Sequence, residues 1–170
     1  MKTTSVLIAC LAMSVALTFD RVNAEPDPNV INIAVFDFEL EDLSPSGALG
    51  QSTTSDASLQ KAAAAVRKKL QDSGLYNIVS VENAEANQNK DLLLRDCDGC
   101  EAEIAHKLGA QQSMLGVVRR ATQTDYYIII SIRDACTGKL LDAQAANFAG
   151  GEQGWSHGAR MILKHQILPR

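Results

Sequence analysis

The chain predicts an α/β fold: a single mixed five-stranded sheet, parallel in its N-terminal part and an antiparallel meander in its C-terminal part, covered by helices. Three observations carry this. Short runs rich in β-branched and aromatic residues recur at 30–38, 76–81, 114–118, 126–133 and 140–148. The first three are separated by segments of helical periodicity, which implies parallel pairing through crossovers. The last three follow one another through short turns, which implies antiparallel pairing.

The first residues read as a secretory leader. Lys2 supplies a positive start, residues 6–19 (VLIACLAMSVALTF) are apolar and uncharged, and Val22-Asn23-Ala24 sets small or medium side chains before Glu25. The 14-residue apolar run is shorter than the roughly 20 residues that span a bilayer. Cys10 follows too short an apolar core for a lipoprotein signal. Cleavage after Ala24 leaves residues 25–170 as one domain, long enough for a single core and too short for two. The expected location is secreted and periplasmic, with no membrane span once the leader is removed.

The elements follow in order. Residues 25–29 (EPDPN) are a polar, proline-broken lead-in. Residues 30–38 (VINIAVFDF) lack a 3.6-residue period and read as a buried strand. Residues 39–55 are polar and rich in Ser, Thr and Gly, with Pro45 and Gly47, and read as a long flexible loop. Ser55 or Asp56 can cap the next helix, whose Leu59, Ala62, Ala63, Val66 and Leu70 share a face before Gly74 stops it. Residues 76–81 (YNIVSV) are a second strand, and 83–94 a weaker, acidic helix. Asp98-Gly99-Cys100-Glu101 has capping-box spacing and opens a helix with Ile104, Ala105 and Leu108 on its apolar face, ended by Gly109. Residues 114–118 (MLGVV) are continuously apolar, as a central strand is. Ile128, Ile130 and Ile132 alternate along the next strand. Cys136-Thr137-Gly138 turns the chain, and Leu141, Ala143 and Ala145 share one side of the returning strand. Trp155, Ala159, Ile162 and Leu163 form the buried stripe of a last helix.

Charge narrows the class of partner. Lys2, Asp20 and Arg21 leave with the leader, so 14 basic and 19 acidic residues remain, net −5. A mildly acidic chain without a basic cluster is a poor binder of nucleic acid or anionic lipid. Arg67-Lys68-Lys69 and Arg119-Arg120 read as solvated faces or strand-edge charges.

Cys97-Asp98-Gly99-Cys100 is the first candidate for chemistry, because a helix N-terminus stabilises a thiolate. Asp96, Asp98 and Glu101 surround the thiols with negative charge, and no proline lies between Pro45 and Pro169 to face them from a cis-proline loop. The pair reads as a structural disulfide, with a redox dithiol and a metal-ligand pair as alternatives. Cys136 is then an exposed free thiol in a hairpin turn. His106 lies six residues beyond Cys100, and His157 and His165 lie two turns apart, none of them at ligand spacing. Asp37, Glu39, Glu41 and Asp42 cluster at the end of the first strand, where ligands of parallel sheets bind. Together with Trp155 they are candidate partner or ligand contacts; as a hard-cation site they lack a D-x-D-x-D-G loop. No G-x-S-x-G, H-E-x-x-H, P-loop or G-x-G-x-x-G is present, so no catalytic residue and no cofactor is assigned.

Several pieces together resemble one family: Ile33-Ala34-Val35-Phe36-Asp37-Phe38-Glu39-Leu40, Cys97-x-x-Cys100 with Glu103-Ile104-Ala105 and Leu108-Gly109-Ala110, Gly116-Val117-Val118, Asp134 with Thr137-Gly138-Lys139, and Trp155-Ser156-His157-Gly158. The set is similar to secreted bacterial proteins that carry a domain-of-unknown-function label. The resemblance spans most of the mature chain and implies a periplasmic α/β protein without an established activity. The implied fold is similar to the N-terminal domain of TolB and the periplasmic domain of CsgG, which are envelope assembly and interaction modules. It also implies an envelope protein partner, with some relatives associated with quinoprotein alcohol-oxidation systems. Cys136 is an addition to the family pattern. The expected function is a non-catalytic interaction or accessory module of a cell-envelope system. A thiol–disulfide oxidoreductase and a metal-binding periplasmic protein are the alternatives.

Overall fold

A computed structural model describes residues 29–50, 56–82, 93–122 and 124–169. The expected leader lies outside the described residues. The fold is α/β, with β1 (Ile31–Val35), β2 (Glu39–Asp42), α1 (Pro45–Ala48), α2 (Asp56–Asp72), β3 (Tyr76–Val79), α3 (Cys100–Lys107), β4 (Gln112–Arg120), β5 (Asp125–Asp134), β6 (Leu140–Ala149) and α4 (Trp155–Ile162). The strands form one sheet in the order β3-β1-β4-β5-β6, with β2 paired to β4 beyond the end of β1. Pairs β1–β3, β1–β4 and β2–β4 are parallel, and β4–β5 and β5–β6 are antiparallel. The predicted division of the sheet is thus observed, with a sixth strand added.

That strand corrects the loop expected over 39–55. Val35 lies opposite Met114 and Glu39 opposite Val117, so the N-terminal strand advances four residues while β4 advances three. One extra residue is absorbed between Phe36 and Phe38, a bulge that inverts the alternation beyond it. Phe36 falls with Ala34 in one core cluster, while Phe38 joins Ile33 and Val35 in the other. The inverted Phe38 needs room on β4, and Gly116 provides it, since a Cβ there would fall inside the Phe38 ring.

Glu39-Leu40-Glu41-Asp42 reads as loop because three of its four residues are acidic. It pairs as a strand because Arg119 and Arg120 stand directly opposite Glu41 and Asp42. Their ion pairs measure 2.6 Å for Arg119–Glu41 and 3.3 Å for Arg120–Asp42. Past it, Pro45 occupies the first turn of α1, where its missing N–H costs no hydrogen bond, and the Ser44 hydroxyl caps Gly47 N–H. The weak helix expected over 83–94 lies almost wholly outside the described residues, and Leu94–Asp96 is a 3₁₀ turn.

Helices cover the two faces unequally. α2 buries Leu59, Ala62, Ala63, Val66 and Leu70, the predicted stripe, and shares one face with α4, whose buried side chains include Trp155, Ala159 and Ile162. Among the described residues the other face carries α3 and the 3₁₀ turn, packed with Ala34, Phe36 and Leu115. The capping box expected at Asp98–Glu101 does not form. Gly99 is the N-cap at φ +96° and α3 has no side-chain cap.

Gly116→Ala is expected to destabilise the chain by about 1–3 kcal/mol through overpacking against Phe38. Adding Phe38→Leu should restore part of the loss, because the two positions share one space. Urea unfolding of the single and double variants measures both effects.

Candidate functional site

The acidic cluster does not converge on a ligand. Asp37 faces Arg67, whose Nη2 donates to its Oδ1 at 2.8 Å, while Arg67 Nε and Nη2 also donate to the Val35 carbonyl at 3.0 and 2.7 Å. Glu39 turns under the 3₁₀ turn and accepts the Leu94 and Arg95 backbone N–H groups at 2.7 and 3.1 Å, with the Arg95 guanidinium at 3.3 Å. Glu41 and Asp42 are held by Arg119 and Arg120. Each carboxylate of the predicted cluster therefore neutralises an arginine of the fold. Of the two readings of the basic runs, solvated faces or strand-edge charges, Arg119 and Arg120 fit the second, pairing with β2 at the end of β4, and Arg67 is held by Asp37; the four acids are thereby engaged within the fold.

Trp155 is likewise engaged within the fold. It is 1% exposed, enclosed by the Tyr126 ring edge-on at 5.9 Å and by the Arg120 guanidinium 5.8 Å from its centroid. Burial in the α2–α4 core leaves it no surface for a partner. Arg120 thus serves three groups, reaching Glu152 as well at 3.4 Å.

Cys97 and Cys100 form a disulfide with their Cα atoms 5.6 Å apart. Cys100 opens α3, and its loop is fixed from β5 by Arg133. The Arg133 Nη2 donates to Asp98 Oδ1 at 2.6 Å, its Nη1 to the Gly138 carbonyl at 3.0 Å, and its Nε lies 3.0 Å from Glu101 Oε1. Arg133 so ties the disulfide loop, α3 and the β5–β6 turn together. Glu101 is the buried member, its second oxygen without a hydrogen-bond partner. Burial raises its pKa, and the nearby Arg133 guanidinium does not offset this. Cys136 is exposed and unpaired in the turn. Asp134 accepts the Cys136 and Thr137 N–H groups and the Thr137 hydroxyl, and those Thr137 bonds hold its carboxyl below the usual range. His106 borders the same shallow groove as Cys136. Among the described residues no three His, Cys, Asp or Glu side chains are placed to hold one metal ion.

A cleft of about 440 Å³ lies at the carboxyl ends of β1 and β3, bordered by Gln60, Ala64, Arg67, Ser80 and Glu82. Its one guanidinium is the Arg67 already engaged by Val35 and Asp37. Among the described residues no histidine or cysteine lines it.

The feature that sequence reasoning missed is a face of β4–β6 over which, among the described residues, no helix packs beyond α3. Val117, packed against the α3-side cluster, lies opposite Ile129, and Ile129 opposite Ala145; in the adjoining row Leu115 is buried in that cluster, Ser131 is half-buried and Ala143 is exposed. Leu141 is 47% exposed and Tyr127 42%. Along β6 the usual pattern is inverted. Leu141, Ala143 and Ala145 face solvent, while Asp142, Gln144, Ala146 and Phe148 are half-buried on the helix side. The signal was present as three apolar residues on one side of the strand, but the side they occupy depends on which face the helices cover. Among the described residues no helix is long and apolar enough to cross a membrane.

The raised pKa of Glu101 predicts a pH dependence. The folded chain binds the Glu101 proton more tightly than the unfolded chain, whose carboxyl titrates at its ordinary 4.5. Its stabilising share is complete below that value and is lost as pH rises through the raised folded pKa. Glu101→Gln should lack this loss, so its stability relative to wild type should rise over that window. Urea unfolding of both proteins from about pH 3 to about pH 7 measures the difference.

Known proteins bear on fold and family. No curated protein matches the chain. The C-terminal domain of LpoB from Salmonella enterica is similar at TM-score 0.50 and 15% identity, over 74% of this chain and 87% of that one. The lipoprotein GNA1162 from Neisseria meningitidis is similar at TM-score 0.48 and 18% identity, over 82% of this chain and 99% of that one. TolB from Acinetobacter baumannii is similar at TM-score 0.43 and 14% identity, over 83% of this chain and 29% of that one. At these identities the LpoB likeness speaks to fold alone. A family model described as "Protein of unknown function (DUF2380)" matches residues 31–167, from β1 to the end of the short π-helix Leu163–Ile167 that continues α4. The chain therefore belongs to that family of proteins of unknown function, as its sequence motifs implied.

Proposed function

We propose that this protein is an exported, non-catalytic interaction module of a cell-envelope system, and that the open face of β4–β6 receives its protein partner. The carrying observation is the inverted pattern of β6. Three apolar side chains face water while polar Asp142 and Gln144 face the helix layer. A strand that must only close a core places these the other way round. The exposed apolar face is rimmed by the Arg119–Glu41 pair at one end and Arg133 near the other. An apolar centre with a charged rim is the anatomy of a protein interface. The leader pattern and the family resemblance support the periplasmic location and an envelope protein as partner.

In this reading the Cys97–Cys100 bond is a staple. The loop it closes is clamped by Arg133, and acidic Asp98 and Glu101 stand beside it, which disfavours a thiolate. Its reduction potential is expected below about −300 mV, in the range of structural disulfides, measured against glutathione or dithiothreitol buffers. A value near that of oxidoreductases would favour thiol chemistry instead.

The interaction reading is tested by a photo-reactive residue placed at Tyr127, on the open face, or at Lys61, on the solvent side of α2, in the cell that makes the protein. A discrete adduct with another envelope protein is expected from position 127 and none from 61. Equal adducts from both positions, or none from 127, would count against the open face as the docking surface.

A further inference from the structure

We propose that the free edge of β6 pairs with β6 of a second copy of this chain, antiparallel about a two-fold axis normal to the sheet. Besides the four-residue β2, which pairs with β4 alone, the sheet's free edges among the described residues are β3 and β6, and they are guarded differently. β3 has four residues, too few to template another strand well, whereas β6 has ten. Natural edges are blunted by bulges, prolines, lysines or inward charges. On β6 the guards stand only at its start, where the register shifts between Ile132 and Arg133 and where Asp142 lies. From Ala143 to Ala149 there is no charge, no proline and no bulge, and among the described residues no strand pairs this edge.

The sequence of this edge favours a second copy as its occupant. An isologous contact requires only that the edge complement itself. Antiparallel neighbours share a face, so residues of like alternation must meet. Centring the pair on Ala145 uses the whole regular edge. Gln144 then meets Ala146, Ala143 meets Asn147, and Asp142 meets Phe148. The one charge of each strand lies away from its counterpart, so no like charges oppose each other. Ala145, at the axis, presents the smallest side chain where two copies come closest.

This inference deepens the interaction reading by naming a self-contact at its border. The two-fold places both open faces on the same side of one continuous sheet, doubling the surface offered to a partner. The pairing itself needs no partner, so it stands or falls separately.

Analytical ultracentrifugation of the exported chain over a concentration series tests it. Wild type is expected to reach twice the mass of one chain. Ala145→Lys and Ala145→Asp are each expected to stay at the mass of one chain and to keep cooperative unfolding with the midpoint that wild type shows when diluted to single chains, because this side chain is exposed. An equimolar mixture of the two should recover the doubled mass, since residue 145 meets itself across the axis and the opposite charges then attract. A wild type of single-chain mass at every concentration, a dimer that survives in both variants, or a mixture that stays monomeric would each overturn the proposal.

Discussion

The single residue inserted between β1 and β2 governs how this molecule uses its polar side chains. It turns Phe38 toward α2, which the bare Gly116 on β4 makes possible. It also sets Glu41 and Asp42 opposite Arg119 and Arg120. Without that shift, Phe38 would face α3 and the acids would lie on the wrong sides of the sheet for their arginines. The apolar fit of Phe38 and the ion pairs therefore depend on one register.

One consequence is that residues with a chemical look are consumed by architecture. Asp37 and Arg67 brace the end of β1, Glu39 caps the 3₁₀ turn, Arg120 joins Asp42, Glu152 and Trp155, and Arg133 clamps the disulfide loop. These half-buried pairs fix orientation more than they add stability, because desolvation offsets much of their attraction. What they leave unassigned is the sheet surface beyond α3, where Ile129 and Ser131 are half-buried and Tyr127, Leu141, Ala143 and Ala145 are exposed.

Much of this was legible from the residues. The stripe of α2, the isoleucine alternation of β5 and the stripe of the last helix are each local patterns, and the structure repeats them residue by residue. The strand β2 was hidden because its partners stand 78 positions away, and only those arginines make an acidic tetrapeptide pair in a sheet. Trp155 was ambiguous for the same reason, since a large aromatic side chain serves a core or an interface equally well until its neighbours are known. The open face was hidden by global accounting. The alternation of β6 shows two sides, but which side is exposed follows from the placing of α2 and α4 on one face and, among the described residues, of α3 on the other. Gly99 shows the reverse case, a local motif overridden when Asp98 turned from capping α3 to pairing with Arg133.

The exposed apolar rows of β4–β6 are the centre of the functional account, and carbene footprinting reads them directly. Labelling at Tyr127, Ile129 and Leu141 is compared between the purified chain and the chain in intact cell envelopes. The account predicts strong labelling in isolation and marked protection in the envelope, with Lys61 unchanged. Equal labelling of the three residues in both settings would mean that this surface faces water in the cell, and would contradict it.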